Sequence, residues 1–263
     1  MLLKLLREER PTGLSFALDA GRPTFRHEQS PSYKANRPPL PDALRQQLDA
    51  LPRLLDALGA PCFVAPGFEA DDVLATLTRE LRSSSGREVR IVTTDHDLFQ
   101  VVRDGVDILF VGARGQKPVV YDHDALVARY GLTPAQLPSL TALVGDLSDN
   151  LPKVPGVGAR TAQKLVQRFG DMRSLVDGLA EVSPPKVQAI LAAASEQLLT
   201  TESLARLRDD VPLAAGMRAA PVGAEAWPRL RELFVEWEFG SLLARVDRLS
   251  RADGPPSAPR ISR

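Results

Sequence analysis

The chain has 263 residues, enough for one large domain or two small ones with buried cores. Its 33 basic and 33 acidic side chains cancel, so any nucleic-acid binding must depend on local basic patches. A single cysteine excludes an intramolecular disulfide and indicates a reducing compartment. No apolar run approaches the roughly 18 residues of a membrane span, and the apolar opening is too short for a signal peptide. We therefore predict a cytoplasmic protein without a membrane partner.

Four short apolar runs in the first 111 residues are typical of strands. They are "GLSFALDA" (Gly13–Ala20), "CFVA" (Cys62–Ala65), "VRIVTT" (Val89–Thr94) and "VDILFV" (Val106–Val111). Helical periodicity fills Leu44–Leu58 and Ala70–Leu81 between them. This alternation predicts an α/β fold with a mostly parallel twisted sheet and flanking helices.

The rest of the chain is helical in pattern after about residue 122. We place the α/β region at 1–130, a helical region at 131–248 and a disordered tail, rich in Pro, Ser and Arg, at 249–263. Residues 20 to 41 interrupt the α/β region with five prolines and a basic, irregular excursion. Its basic residues and its histidine are Arg22, Arg26, His27, Lys34 and Arg37.

Three clusters of acidic residues follow predicted strands or begin predicted helices. "GFEADDVLATL" contains Glu69, Asp71 and Asp72; "VTTDHDLF" contains Asp95 and Asp97; "GDLSDN" contains Asp146 and Asp149. Each cluster alone has a structural explanation, because acids in a first helical turn cap free N–H groups. Asp97 could cap the helix that follows it, and aspartates in turns bond their own backbone.

Together the clusters favour a metal site, because the carboxyl ends of parallel strands gather at one edge of a sheet. Asp19 and Asp95 both end predicted strands, and the helix that begins near Glu69 lies between them in the chain. Crowded carboxylates raise one another's pKa, and divalent cations would relieve that repulsion. Oxygen ligands without clustered His or Cys favour Mg²⁺ or Mn²⁺ over zinc.

A glycine hairpin follows the last acidic cluster in "VPGVGARTAQKL". Gly156 and Gly158 allow the positive φ angles of a tight turn, and a helix from about Ala159 presents free N–H groups to an anion. Arg160, Thr161 and Lys164 favour phosphate over a purely structural turn. We predict a helix-hairpin-helix at about 152–169 that binds successive phosphates of duplex DNA without reading bases.

Five motifs, in order, resemble one known family: "FALDAGRPTFRHE", "YKANR", "GFEADDVLATL", "TTDHDLFQ" and "GDLSDNLPKVPGVGARTA". It is the 5′ nuclease (flap endonuclease-like) domain at the N-terminus of bacterial DNA polymerase I, also found as stand-alone 5′-3′ exonucleases. The resemblance runs from about residue 2 to about Val246. It implies a PIN/5′ nuclease-like fold followed by a helical region with a helix-three-turn-helix element. It also implies structure-specific 5′-3′ exonuclease and flap endonuclease activity on DNA in replication and repair, by a two-metal mechanism.

The resemblance also implies roles for individual residues. The ligands of two Mg²⁺ ions, for which Mn²⁺ can substitute, would be Asp19, Glu69, Asp71, Asp72, Asp95, Asp97, Asp146 and Asp149. The DNA-binding residues would be Tyr33, Lys34, Arg37, Gly156, Gly158, Arg160, Thr161 and Lys164, and the helix-hairpin-helix would hold K⁺. Tyr33 would stack on the single-stranded 5′ end. Lys34 and Arg37 would be phosphate ligands and catalytic residues, Lys34 as an electrophile.

The family usually has lysine where this chain has Arg160, which keeps the charge. It also opens with a buried strand carrying an aspartate, whereas "MLLKLLREE" begins as an amphipathic helix without an N-cap residue. We therefore expect a stand-alone, N-terminally truncated form, monomeric, acting on DNA with 5′ ends, flaps or nicks beside a separate polymerase. Two alternatives stay open: a catalytically impaired relic that binds DNA junctions, and a Mg²⁺-dependent phosphohydrolase acting on small molecules.

Overall fold

Short strands and many helices alternate along the chain in a computed structural model that describes residues 1–112, 116–213 and 219–252. The chain divides into two units. The first combines Met1–Leu18, Pro39–Phe63 and Ala214–Arg263, and the second combines Asp19–Pro38 and Val64–Leu213. None of the helices in the described ranges has the length and apolar character needed to span a membrane.

The elements are numbered in chain order. The helices are α1 (Leu2–Glu9), α2 (Phe25–Gln29), α3 (Asp42–Leu58), α4 (Ala70–Ser85), α5 (His123–Tyr130), α6 (Leu137–Val144), α7 (Ala159–Phe169), α8 (Met172–Asp177), α9 (Pro185–Ala193), α10 (Ser195–Ala205), α11 (Ala226–Glu236) and α12 (Gly240–Ala252). The strands are β1 (Phe16–Ala17), β2 (Cys62–Phe63), β3 (Val89–Thr93), β4 (Val106–Phe110) and β5 (Val119–Tyr121). Single 3₁₀ turns cover Asp97–Val101, Pro134–Gln136 and Leu179–Glu181.

The first unit is a helical cluster with a small parallel ladder. Leu3 and Leu6 bury one face of α1, as its amphipathic pattern predicts, in a core shared with α3, α11 and α12. β1 pairs with β2 in parallel. Helix α12 continues to Ala252, and its Leu249 packs against this core. Residues 249–252, which the sequence placed in a disordered tail, are therefore helical. Residues 253–263 of that tail lie outside the described residues.

The second unit contains a sheet in the order β3-β4-β5. β3 and β4 are parallel, as predicted, and β5 is an antiparallel strand that the sequence did not reveal, because three residues are too few for a recognisable alternation. Ile91 and Ile108, from β3 and β4, form a buried core together with Leu98 and Phe99. Two of the three described strand pairings are parallel, in agreement with the predicted fold class, and the described strands lie in two separate sheets, β1-β2 and β3-β4-β5.

The helical pattern after residue 122 is confirmed. Helices α6 to α10 surround a second core, in which Leu143, Val166 and Leu198 are fully buried.

The basic excursion is more ordered than predicted. It contains α2, whose first N–H, from Phe25, donates to the Gly67 carbonyl, and turns that follow through residue 37.

Candidate active site

The N-terminus of α4 carries the first acidic cluster, as the pattern predicts. Glu69 is the N-cap residue, and its backbone N–H donates to Asp72 Oδ2 at 3.1 Å. The Ala70 N–H donates to Asp19 Oδ1 at 2.8 Å. This bond brings Asp19, which follows β1 after one intervening residue, to the start of α4. Two segments that are distant in the chain thus contribute carboxylates to one place.

The second cluster follows β3 directly. Asp95 Oδ1 accepts from the Asp97 N–H at 2.9 Å, and the Asp95 N–H donates to Thr93 Oγ1 at 3.0 Å. The Asp95 side chain therefore accepts from the first N–H of the following 3₁₀ turn, whereas Asp97, which the sequence suggested as its cap, is the first residue of that turn. Asp95 stays exposed, and Asp97 is partly buried.

The third cluster lies in a tight turn after α6. Asp146 Oδ1 accepts from the Ser148 N–H at 2.6 Å and from the Ser148 hydroxyl at 2.8 Å, which confirms its predicted role as a turn former. Gly145 adopts φ +74°, and a Cβ there would come within 2.6 Å of the Lys153 nitrogen, so only glycine fits. Asp149, three residues on, is buried.

The charges of these acids act on one another. Burial and then the charge of Asp95 raise the pKa of Asp71 to about 7, with smaller contributions from Asp19 and Glu69. Burial and Asp95 also raise the pKa of Asp97 to about 7. Further increases in the Asp97 pKa come from Asp149, Asp146 and Asp71. The acids of all three clusters therefore act on one another, and Asp95 raises the pKa of both Asp71 and Asp97.

The donors suit a hard divalent cation, since they are oxygens that are crowded and partly desolvated. In the described part of the chain, no three Asp, Glu, His or Cys side chains are already placed to hold one ion. Like charges repel at short distances, and basic side chains from the excursion occupy several of the oxygens.

Tyr33 is one of the groups on the acids, and its predicted role as a stacking surface is contradicted in this conformation. The ring is 2% exposed and packs with Leu151 and Leu204. Its hydroxyl donates to Asp149 Oδ2 at 2.8 Å and to Glu69 Oε2 at 3.0 Å. Burial, followed by these two negative charges, raises the pKa of the phenol, so Tyr33 remains a donor. A buried ring cannot stack on a base.

Lys34 and Arg37 lie on the same carboxylates. Lys34 Nζ is 2.8 Å from Glu69 Oε1 and 3.6 Å from Asp149 Oδ2. Arg37 Nη2 donates to Asp149 Oδ1 at 2.6 Å. The Lys34 N–H donates to the Asp149 carbonyl at 3.0 Å, which ties the backbones of the two segments together. Both predicted phosphate ligands are therefore beside the acids, with carboxylates as their present partners.

Asp72 differs from the other acids because it is fully buried against Arg26, which is 0% exposed. Arg26 Nη1 and Nη2 donate to its two oxygens at 2.6 and 2.8 Å. Sequence reasoning placed Asp72 among the metal ligands and Arg26 only among the basic residues of the excursion. Sequence offers no signal for this pairing, because an arginine in a basic segment is ordinarily solvated.

The glycine hairpin precedes α7, which begins at Ala159 as predicted. Gly156 has φ +86°, whereas Gly158 has φ −84° and ψ 164°, an extended conformation open to any residue, so the prediction of positive φ holds for Gly156 alone. A Cβ at Gly158 would meet no atom within 4 Å. The backbone there is therefore open to a ligand.

Cations surround this hairpin. Arg160 and Lys164 are exposed on the first turns of α7, and Thr161 is partly buried. The turn adds Lys153, an exposed cation that the sequence analysis did not single out. Among the described residues these three cations form no ion pair, so each is available to a phosphate.

The chain thus combines an acidic cluster with a helical region that carries a cationic hairpin, and models of known protein families match it. Residues 1–131 match the family model for the 5′-3′ exonuclease N-terminal resolvase-like domain, and residues 132–226 match the one for the 5′-3′ exonuclease C-terminal SAM fold. The chain belongs to the 5′-3′ exonuclease family.

Similar curated proteins are polymerases. The chain is 41% identical over 258 residues to DNA polymerase I of Mycobacterium tuberculosis and 40% identical over 246 residues to the thermostable DNA polymerase I of Thermus thermophilus. These matches cover 97% and 92% of this chain, and the chain spans 28% of the length of each relative.

Solved structures share the fold at low identity. T5 5′-exonuclease with bound divalent metal ions (zinc) superposes with a TM-score of 0.64 at 22% identity, covering 95% of this chain and 86% of that one. The catalytic core of Rad2 in complex with DNA substrate gives a TM-score of 0.62 at 17% identity, covering 97% and 83%. The PIN-like domain and the helical domain that follows it agree with the predicted fold class.

Proposed function

We propose that the chain is a structure-specific 5′-3′ exonuclease and flap endonuclease that hydrolyses DNA phosphodiester bonds in replication and repair, using two divalent cations. The observation that carries this proposal is that acids from three segments of the chain are brought together, Asp19 to the start of α4 and Glu69 to Asp149 through Tyr33, in a chain of the 5′-3′ exonuclease family. A polymerase as partner is supported by relatives that are named DNA polymerase I. Divalent cations and DNA as ligands are supported by similar solved structures, one named for bound divalent metal ions and one for a DNA substrate.

The carboxylates offer oxygens for two cations. We assign Asp19, Glu69, Asp71 and Asp95 to the first cation, and Asp95, Asp97, Asp146 and Asp149 to the second. Mg²⁺ fits such an all-oxygen set, and Mn²⁺ can replace it. When bound, the cations supply Lewis acids that polarise the scissile phosphate and lower the pKa of the attacking water.

Lys34 and Arg37 would transfer from the carboxylates to the scissile phosphate once cations neutralise the acids. Their side chains are 12% and 43% exposed, so both can reach a ligand at the edge of the cluster. There they would hold the phosphate and stabilise negative charge that develops on its oxygens. No side chain would act as a covalent nucleophile.

The hairpin would hold the duplex part of the same substrate. Arg160, Lys164 and Lys153 would contact successive phosphates, and the open backbone at Gly158 would admit one phosphate to the N–H groups that begin α7. Gly156 follows Asp149 by only seven positions in the chain, so one polynucleotide can contact the acids and the hairpin together. A potassium ion at the hairpin stays a prediction.

The experiment compares Asp95→Ala and Asp146→Ala with the parent protein on a DNA flap labelled at its 5′ end, in Mg²⁺. We expect both variants to lose cleavage and to keep flap binding, because removing a carboxylate also removes repulsion of phosphate. Asp124→Ala is the matched control, since this aspartate is fully exposed on the first turn of α5 and should be dispensable. A variant of Asp95 or Asp146 that cuts at the parent rate contradicts the proposal.

The same assays separate the alternatives. A parent protein that binds flaps without cutting them in either Mg²⁺ or Mn²⁺ is the impaired relic. One that hydrolyses a small phosphomonoester and ignores DNA is the small-molecule phosphohydrolase.

A further inference from the structure

Arg26 is a buried cation that the proposed chemistry leaves without a role. It lies in α2, inside the basic excursion, and is among the largest fully buried side chains of the described residues. Burying a guanidinium is costly unless its donors are satisfied. The number and identity of its partners therefore show what the protein gains from it.

The guanidinium has five N–H donors, and five acceptors surround it. Nε donates to the Leu204 carbonyl at 2.8 Å, and Nη2 donates to the Arg206 carbonyl at 3.1 Å. Nη1 and Nη2 donate to the two Asp72 oxygens at 2.6 and 2.8 Å. Nη1 also lies 3.2 Å from Glu69 Oε2. Arg26 thus joins α2, the start of α4 and the end of α10.

Asp72 is equally saturated. Its Oδ1 accepts from Arg26 and from the Arg208 N–H at 2.8 Å, and its Oδ2 accepts from Arg26 and from the Glu69 N–H at 3.1 Å. A carboxylate has about four lone-pair sites, so none remains for a metal ion. Burial lowers the Arg26 pKa, but the hydrogen bonds and charge of Asp72 together with the charge of Glu69 raise it by more, so Arg26 stays protonated.

Asp71 and Glu69 flank this pair in the chain and behave differently. The charges of Asp95 and Asp19 raise the pKa of Asp71, and Glu69 accepts from Lys34 as well as from Arg26. A helix start fixed by a bidentate pair holds its neighbouring residues in one orientation, because the guanidinium fork permits a single plane.

We propose that Arg26 is a positioning residue for the metal centre: through its saturated pair with Asp72 and its contact with Glu69, it fixes the start of α4 so that Asp71 and Glu69 face the cations. This rests on the proposed function and makes Asp72 a structural anchor outside the ligand set. Groups that orient metal ligands typically change metal affinity or activity about 10–100-fold when removed.

The test measures cation binding without substrate and cleavage with it. Thermal unfolding is followed in EDTA and across a titration of Mn²⁺, and kcat and KM are measured on a 5′ flap. Arg26→Met alone would leave a buried carboxylate unpaired and endanger folding. The double variant Arg26→Met/Asp72→Leu removes both charges and keeps similar volumes, so it should fold. Arg79→Met is the matched control, because Arg79 also joins α4 to the segment after α10, through Asp209, at a half-exposed site.

We expect the double variant to unfold in EDTA near the parent midpoint, to need about tenfold more Mn²⁺ for the same stabilisation, and to lose kcat with little change in KM. Arg79→Met should match the parent in both assays. A double variant with the parent's Mn²⁺ response and kcat overturns the inference, because the pair is then only structural.

Arg26→Lys keeps the test decisive if the double variant does not fold. It retains the charge and loses the fork, so we expect a folded protein with the same raised Mn²⁺ requirement. Parent behaviour in Arg26→Lys overturns the inference. A parent protein that neither responds to Mn²⁺ nor cuts DNA overturns the proposed function itself, and is thereby distinguished from a failure of the inference alone.

Discussion

Arg160 tests whether the hairpin binds duplex phosphates. It is exposed on the first turn of α7 and, among the described residues, has no carboxylate partner. Arg160→Ala removes one cation from a set of three that includes Lys153 and Lys164. We expect weaker binding to every duplex sequence, because a phosphate contact reads no base.

The size of the effect follows from counterion release. Each phosphate contact contributes about −0.9 to the slope of log affinity against log salt, so three contacts give a slope of about −2.7 and two give about −1.8. Between about 50 and 200 mM salt, affinity should then fall roughly 40-fold for the parent and roughly 12-fold for the variant. The two proteins should therefore differ in salt sensitivity by a factor of about 3.5.

Fluorescence anisotropy of a labelled duplex in EDTA measures this slope without cleavage. Arg168→Ala is the matched control, because Arg168 lies on the same helix but donates to Glu181 Oε2 at 2.7 Å and to the Glu181 carbonyl at 3.0 Å. Its charge is already compensated, so its slope should equal that of the parent. Equal reductions of the slope in both variants would refute the assignment of the hairpin as the duplex contact.

Three further predictions concern folding and metal. Leu143→Ala should lower the free energy of unfolding in urea by about 3–5 kcal/mol, because Leu143 is 0% exposed. The control Leu147→Ala, at a residue 90% exposed, should change it by less than about 0.5 kcal/mol. Similar losses in the two variants would show that the core is misassigned. Gly156→Ala should lower the free energy of unfolding by about 1–2 kcal/mol, because Gly156 has φ +86°. Gly158→Ala should keep the parent stability and weaken duplex binding, because its Cβ meets no protein atom and stands where the phosphate would bind. Equal stability of the two variants would argue against the strained turn. Mg²⁺ at about 100 times its Kd should stabilise the parent protein against thermal unfolding by about 2.7 kcal/mol. The same Mg²⁺ concentration should stabilise Asp71→Asn by clearly less. A parent protein whose unfolding does not respond to Mg²⁺ would contradict the metal site.

Sequence predicted the positions of the acids well because those positions depend on local periodicity. Asp95 follows β3 and Glu69 begins α4, and both boundaries are visible in the spacing of apolar residues. The hairpin was predicted for the same reason, since Gly156 and the start of α7 lie within one short segment. β5 was not predicted because its three residues are too few for a recognisable alternation, so only its pairing with β4 identifies it as a strand.

Burial of polar groups could not be predicted, because it depends on residues far along the chain. Arg26 bonds the Leu204 carbonyl across a separation of 178 residues, and Tyr33 bonds Asp149 across 116. In the sequence both residues belong to a segment rich in proline and cations, a composition typical of solvated loops. The roles expected of Tyr33 and Asp72 came from resemblance to a family, and family motifs do not report which oxygens of a carboxylate are already occupied.

The bases on the carboxylates differ in a way that orders events at the site. Arg26 uses all five donors in a fully buried pair, so no ligand can displace it without unfolding the start of α4. Lys34 and Arg37 are partly exposed and hold Glu69 and Asp149 by a few bonds each. Under the proposed function, cations that neutralise those acids would weaken the hold on Lys34 and Arg37 and leave Arg26 in place. The released bases would then be free for phosphate. Because coupling between two ligands is reciprocal, we expect bound DNA to raise the affinity for the cations.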